Sequence, residues 1–518
     1  MLPLLWLGPG IVDDAYITFR YAENLAAGKG FVFNESDGPV QGASTPLFTI
    51  LLAGARLAGI PCRFSALALA VAGAALAYYC GALLFLPRRR PVGKTALLTG
   101  AGWVLVLGTL PEWISVLGSG MESTLFVGLA IAAIAAATRG RPALAGVLCA
   151  LTVLARYDGW ALAFIVLLWC FWVHRRRSGL GVGLFLLLQA PWVVYAALTF
   201  GAYAPQSVDA KRLIHSCTLA SNCQAHLNYF WGALEGMPGC FPHRNLLPFF
   251  FLGTGFALWR RTPAPLLMLL WGSASVAGYC YARILLQSWY MMPALVAYTW
   301  VAMWGARETL QGLEGRLHGG GAEDRPETGP QDPATRGKRR LALGLLVTAI
   351  LLLFAANLRF IWPGREKWVE YRTLRERTYF EAAQWVRERS RPGSRVLVGE
   401  VGVLGWALLD YEVLDSAGIN SRRILQIRRE NALDLKARGI EERRPGEGRR
   451  GAGEGSPEWV LRVVDEMRPD FVVSTANILW VGLLRADPRF LADYQEVQVI
   501  SHYPALPVYI FQRRTARA

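Results

Sequence analysis

Apolar residues recur in long runs between residues 64 and 304 and again over 341–360, each run closed by a short polar stretch. The runs hold roughly 14–24 residues, around the ~20 that cross a bilayer, and so predict membrane-spanning helices rather than one buried core. Basic clusters set the sidedness: Arg88-Arg89-Arg90 with Lys94, Arg139 with Arg141, Arg175-Arg176-Arg177, Arg260-Arg261 and Lys338-Arg339-Arg340 belong on the cytoplasmic side. Strict alternation then gives spans at 64–87, 95–111, 122–138, 143–156, 159–173, 180–200, 246–259, 264–282, 289–304 and 341–360. A first span ahead of Asp13 brings the expectation to about eleven. The 12 residues before Asp13, broken by Pro3 and Pro9, are too few for that span and point to a start that is truncated or lies upstream. The stretch 44–60 opens at Pro46 and closes at Gly59 and Pro61, and is expected to lie in the outer interface.

On this topology the Asp13–Ser44 loop, Ser119–Glu122, Arg156–Gly159, the 201–245 loop, Gln287–Tyr290 and everything after 361 share the outer face. Residues 305–340 read as a cytoplasmic linker of Gly, Glu, Arg and Pro. After Trp362-Pro363 the pattern turns soluble: an amphipathic helix over 378–389 (Tyr379, Ala382, Ala383, Val386), buried strands at Arg395–Val398 and Phe471–Val473, and a charged, Gly-rich loop over 436–457. The fold class expected is an α-helical multi-pass membrane domain (1–363, with 13–62 as an outer loop) followed by an extracytoplasmic α/β domain (364–518).

Composition changes this picture little. Hydrophobic residues make up 53% of the 518 and charged residues 18%, with a mean hydropathy of +0.29. The net charge of +16 sits largely in short loops, which is a topology signal and argues against nucleic acid as a partner. Four of the eight cysteines, Cys62, Cys217, Cys223 and Cys240, fall on the outer side, where disulfides are permitted and several pairings stay open. The other four, Cys80, Cys149, Cys170 and Cys280, lie in spans as packing residues. A zinc site with His215 or His226 matches no standard spacing.

Asp13 and Asp14 are paired carboxylates at a membrane edge, where such groups are costly and kept for a task. Helical periodicity over 14–27, with Gly28 as the stop, puts Arg20 on the face of Asp13 and Tyr16. The plainer alternative, weighed below a chemical role, is that the pair caps the helix N-terminus, with one acid free to do each job. Outer-face cations are Arg20, Arg156, Lys211 and Arg212. Arg156 and Asp158 flank a tight turn, Glu122 opens an inward span, and Trp289 with Tyr290 suits an interfacial belt.

These residues stand in a series of short motifs: Asp13-Asp14-Ala15-Tyr16-Ile17-Thr18-Phe19-Arg20-Tyr21-Ala22, Gly30–Asn34, Gln41–Leu47, Ser119-Gly120-Met121-Glu122-Ser123, Ala155–Gly159, Pro205-Gln206-Ser207 leading to Ala210-Lys211, Gly399-Glu400-Val401-Gly402 and Leu414–Gly418. In that order the chain resembles the GT-C-fold, polyprenyl-phosphate-dependent glycosyltransferases, and among them the actinobacterial terminal arabinofuranosyltransferases and their relatives. The resemblance implies a bacterial inner-membrane enzyme that moves an arabinofuranosyl or hexosyl unit from a polyprenyl-phosphate donor to a cell-envelope glycan. It implies a first-loop carboxylate, Asp13 or Asp14, as general base, and the outer-face cations Arg20, Lys211 and Arg156 are the candidates to meet the donor phosphate. Tyr16, Glu122, Asp158 and Tyr290 are expected to line the substrate. Trp289-Tyr290 stands where such enzymes often show Arg-Tyr, and a divalent metal is neither required nor excluded. The alternative is a flippase or transporter of lipid-linked sugars, which would need ionisable residues at mid-membrane and a repeat.

Overall fold

The computed structural model describes residues 10–86, 93–215, 219–235, 243–284, 287–317, 371–437, 458–476, 478–502 and 506–514, with single positions 337, 344 and 348. The first described helix, α1 (Asp13–Ala26), starts after an extended Val12, carries both acids in its first turn and stops before Gly28, whose φ of +77° needs no side chain. The stretch expected in the interface forms α2 (Pro46–Leu57), 12 residues packed on α1. At 1.5 Å per residue it reaches roughly 18 Å, well short of the ~30 Å apolar core of a bilayer.

The expected spans follow as α3 (Cys62–Leu83), α4 (Lys94–Gly108), α5 (Pro111–Leu117), α6 (Ser123–Thr138), α7 (Pro142–Ala155), α8 (Gly159–His174) and α9 (Ser178–Phe200). After α10 (Gln206–His215) and α11 (Leu219–Glu235) of the long loop come α12 (Leu247–Arg260), α13 (Pro263–Ala282) and α14 (Met292–Leu317). The run over 95–111 is not one rod: α4 and α5 meet at 72°. Pro111 explains the break, because it has no N–H to donate and disfavours a helical Leu110. Among the described residues, Cys62–Leu83, Gly159–Phe200 and Pro263–Ala282 are long and apolar enough to cross a membrane, and the bent pair makes a fourth. By that measure the full count of about eleven is not reached, and 341–360 lies outside the described residues save two single positions. Residues 305–317 belong to α14, so the linker expected over 305–340 starts later than its composition suggested.

The bundle closes through glycine. A Cβ at Gly73 would strike the backbone of Leu125, and one at Gly128 would strike the carbonyl of Gly73, so α3 and α6 touch main chain to main chain. Without a hydrophobic force between helices in lipid, close approach of this kind supplies the dispersion contact that holds them.

The C-terminal part is a five-stranded sheet, with β1 (Arg395–Val398), β2 (Glu412–Asp415), β3 (Phe471–Thr475), β4 (Tyr494–Ile500) and β5 (Val508–Arg513) in the order β2-β1-β3-β5-β4. β2, β1 and β3 run parallel and β5 and β4 are antiparallel. Strand alternation sends Leu397, Leu414, Val472 and Phe511 against α17 (Arg422–Ala437) and α18 (Glu458–Met467). It sends Val396, Val398, Val413, Val473 and Ile510 to the other face. There they share one core with the helix at 371–389, labelled α15, and with Phe19, Tyr21, Phe31 and Phe33 of the first loop. The sheet and the loop after residue 12 are thus halves of one interior.

Candidate active site

α1 has two working faces. Asp13, Tyr16 and Arg20 recur at about one helical turn and point together, as the periodicity predicts, but the face they form is a docking surface. Asp13 accepts the N–H groups of Gly402 (3.0 Å) and Val403 (2.9 Å), at the start of α16 (Gly402–Ala407) behind β1. Gly402 has to be glycine, since a Cβ there would overlap the Asp13 carbonyl. Tyr16 gives its hydroxyl proton to Glu376 of α15, and Arg63 lies 3.6 Å from the same carboxylate. Arg375 pairs with Glu400 at 2.6 Å beside Asp13.

Arg20 is 1% exposed and spends every N–H inside the protein. Nε meets Phe33 O (2.8 Å), Nη1 meets Gly405 O and Leu408 O (2.9 Å), and Nη2 meets Asn34 Oδ1 (2.9 Å) and Tyr411 O (3.0 Å). The guanidinium is also stacked 4.5 Å from the Phe33 ring. With all five donors used, Arg20 is no phosphate ligand, which corrects the expectation, and Tyr16 is likewise a docking residue rather than a substrate contact. The planar fork fits a ring of carbonyls from two domains where a lysine would not.

Asp14 follows Asp13 by one residue and faces the other way. Its side chain is 40% exposed and stands 3.8 Å from Lys211 Nζ of α10. Lys211 donates to the Tyr290 hydroxyl at 2.9 Å and also lies over that ring. The phenol and Asp14 stabilise its cation and hold its pKa above the usual lysine range despite desolvation. Tyr290 packs against Tyr279, centroids 4.5 Å apart and rings tilted by 30°, and Arg156 lies 5.4 Å from the Tyr290 ring.

Arg156 forms the buried base of this group. Its Nη1 meets Glu122 at 2.7 Å and Ser123 Oγ at 3.4 Å. Its Nε meets Asp158 at 2.9 Å, and Nη2 reaches Asp158 at 3.4 Å and the Tyr279 hydroxyl at 2.8 Å. Tyr279 in turn donates to Asp158 at 2.5 Å. One guanidinium between two carboxylates has neither a spare N–H nor net positive charge to offer, so Arg156, Glu122 and Asp158 act as a brace for the tyrosines. That corrects Arg156 as a direct phosphate ligand. Arg212 is drawn off to the Ala282 carbonyl at 2.9 Å.

Of the nine residues expected here, the structure therefore gathers Asp14, Lys211, Tyr290, Arg156, Glu122 and Asp158, and sends Asp13, Tyr16 and Arg20 to the sheet domain. Sequence reasoning missed Tyr279, in the last turn of α13, and Arg375 with Glu376 on α15. Only the need of Arg156 and Asp158 for a further partner hinted at Tyr279. Asp415, in the Leu414–Gly418 motif, is fully enclosed and accepts N–H bonds from Ala417 and Asn420, so that motif is a turn. Cys62 is a buried thiol 3.7 Å from Glu23, Cys223 is also free, and Cys217 and Cys240 lie outside the described residues. Among the described residues no three His, Cys, Asp or Glu side chains stand close enough to hold a metal.

A helical membrane bundle with a sheet domain closed over its first loop defines the class: a GT-C-like architecture, as the motif resemblance implied. Two solved structures share it along nearly the whole chain. ArnT from Cupriavidus metallidurans bound to undecaprenyl phosphate is 13% identical, with a TM-score of 0.57 over 98% of this chain and 96% of that one. The same protein in the apo state is 15% identical, with a TM-score of 0.53 over 96% and 93%. Arabinofuranosyltransferase AftD from Mycobacteria aligns at 15% identity and a TM-score of 0.46, this chain covering 39% of it. Residues 366–516 match a domain of unknown function, DUF8728. No curated protein matches the sequence.

Proposed function

We propose that the chain is a membrane glycosyltransferase of the bacterial inner membrane, moving one sugar from a polyprenyl-phosphate donor to a glycan hydroxyl on the extracytoplasmic side. The observation that carries the reading is the Asp14–Lys211–Tyr290 group: a half-exposed carboxylate beside a cation, braced from below, in a fold shared with a protein solved with undecaprenyl phosphate. Asp14 takes the proton of the acceptor hydroxyl as its oxygen attacks the anomeric carbon. The carbon–oxygen bond to phosphate breaks, the lipid phosphate leaves as a monoester, and Lys211 faces the charge that develops on it. Tyr290 holds Lys211 in place, and the Arg156 brace holds Tyr290. An arabinofuranosyl or hexosyl donor suits the reading equally. Clustering of the polar groups at one end of the bundle favours transfer over transport, which needs them at mid-membrane.

The test is release of polyprenyl phosphate from lipid-linked sugars by the purified chain. Asp14→Asn lowers turnover by about 10²–10⁴-fold and Lys211→Met by about 10²-fold, while Asp13→Asn keeps measurable turnover and loses stability. Full activity in Asp14→Asn would remove the base.

A further inference from the structure

Helix α11 carries three polar side chains, Asn222, His226 and Tyr229, along one stripe at four- and three-residue spacing. Asn222 and His226 are each 1% exposed. Asn222 donates from Nδ2 to the carbonyls of Tyr279 (3.0 Å) and Cys280 (3.3 Å), and its Oδ1, buried, has no partner. His226 Nδ1 lies 2.7 Å from the Asn222 carbonyl, a geometry that assigns the proton to Nδ1 and leaves Nε2 as an acceptor, also buried and unpaired. Glu112 sits on α5, which packs on residues 288–290, and its Oε2 is buried and unpaired too.

Three buried acceptors without donors thus stand on or beside one helix stripe, and native chains rarely leave such groups unmet. No metal-holding group of three His, Cys, Asp or Glu occurs among the described residues. The missing partners are hydrogen-bond donors. The stripe runs directly behind the site: Asn222 binds the main chain of Tyr279, and Ser288 precedes Tyr290 by two residues. A ligand that offers several O–H donors next to two adjoining aromatic rings is a sugar ring. The donor sugar is joined to the phosphate that Lys211 would face, so the sugar is the part of the donor that a stripe behind Tyr279 and Tyr290 would meet.

The geometry points to a hydroxyl-binding subsite for the donor sugar at Asn222, His226 and Glu112, resting on the glycosyl-transfer reading above. This stripe then decides which sugar is accepted.

The experiment uses the full chain in detergent with polyprenyl-phosphate-linked pentoses and hexoses, their deoxy analogues and bare polyprenyl phosphate. Binding is followed by tryptophan fluorescence, and turnover by lipid-phosphate release. Asn222→Leu and His226→Leu raise the donor KM about tenfold each, with a smaller change in kcat, and flatten the preference for a donor over its deoxy analogue. His226→Gln, which keeps an acceptor, recovers part of that preference and serves where the leucine variant does not fold. Unchanged KM and unchanged preference in folded variants, with Asp14→Asn inactive, overturn the subsite and leave the transfer reading standing. Full turnover in Asp14→Asn overturns the transfer reading itself. A wild-type chain that binds sugar-bearing lipids no better than bare polyprenyl phosphate also overturns the subsite.

Discussion

Asp13 and Asp14 differ by one position, yet a helix turns successive side chains by about 100°, so one meets the sheet and the other meets Lys211. The pair repels less than adjacency implies, because each carboxylate has its own partners. Enclosure and the nearby Glu400 raise the Asp13 pKa from 3.8 to about 6, against the lowering effect of Arg375 and the Val403 N–H. The sign follows: between pH 3.8 and about 6 the folded chain holds more proton than the unfolded one, so stability falls as pH rises through that window and levels off above it. For a partly exposed group the loss is on the order of 1 kcal/mol. Thermal midpoints from pH 4 to 7 should show that slope in the wild type and a shallower one in Asp13→Asn. An identical slope in both would place the titration elsewhere. The face shared by residues 13, 16 and 20 was legible from spacing alone. Its occupant was not, because the groups it meets lie at 376 and 402–411, beyond any local pattern.

At the scale of elements, hydrophobic runs located the helices well, since a span has to be apolar wherever it meets lipid. They said less about contacts between helices. The approach of α3 to α6 rests on Gly73 and Gly128, which a hydropathy profile reads only as weak positions. Gly73→Leu drives a side chain into the Leu125 backbone and should cost about 3 kcal/mol or more, since the helices have to separate. A lowered melting point and broadened gel-filtration profile in detergent would register it, and a wild-type melting curve would contradict the packing. The α4–α5 bend was written in Pro111, but a proline inside an apolar run also opens many straight spans, as Pro263 does in α13. The strands at 395–398 and 471–473 were readable because buried parallel strands are short, unbroken and β-branched.

Across the whole molecule, the first loop belongs to the sheet domain as much as to the membrane bundle. Arg20 fastens the two, and its carbonyl cage has no use for a point charge. Arg20→Lys keeps the charge and loses the fork, leaving buried carbonyls unmet at a cost of about 3 kcal/mol. Limited proteolysis should then cut the sheet domain faster in Arg20→Lys than in Asp14→Asn, whose docking face is intact. Equal protection in the two would show that the cage carries no load. That clasp also has a schedule. Arg20 leaves the ribosome 391 residues before Tyr411, the last carbonyl of its cage. At about 5–20 residues per second this is a wait of roughly 20–80 s. Through that interval the nascent front segment carries Asp13 and Arg20 unfastened, and a stalled or clipped polypeptide never closes them into place. Birth order thus makes the tail of the chain the timer for its head.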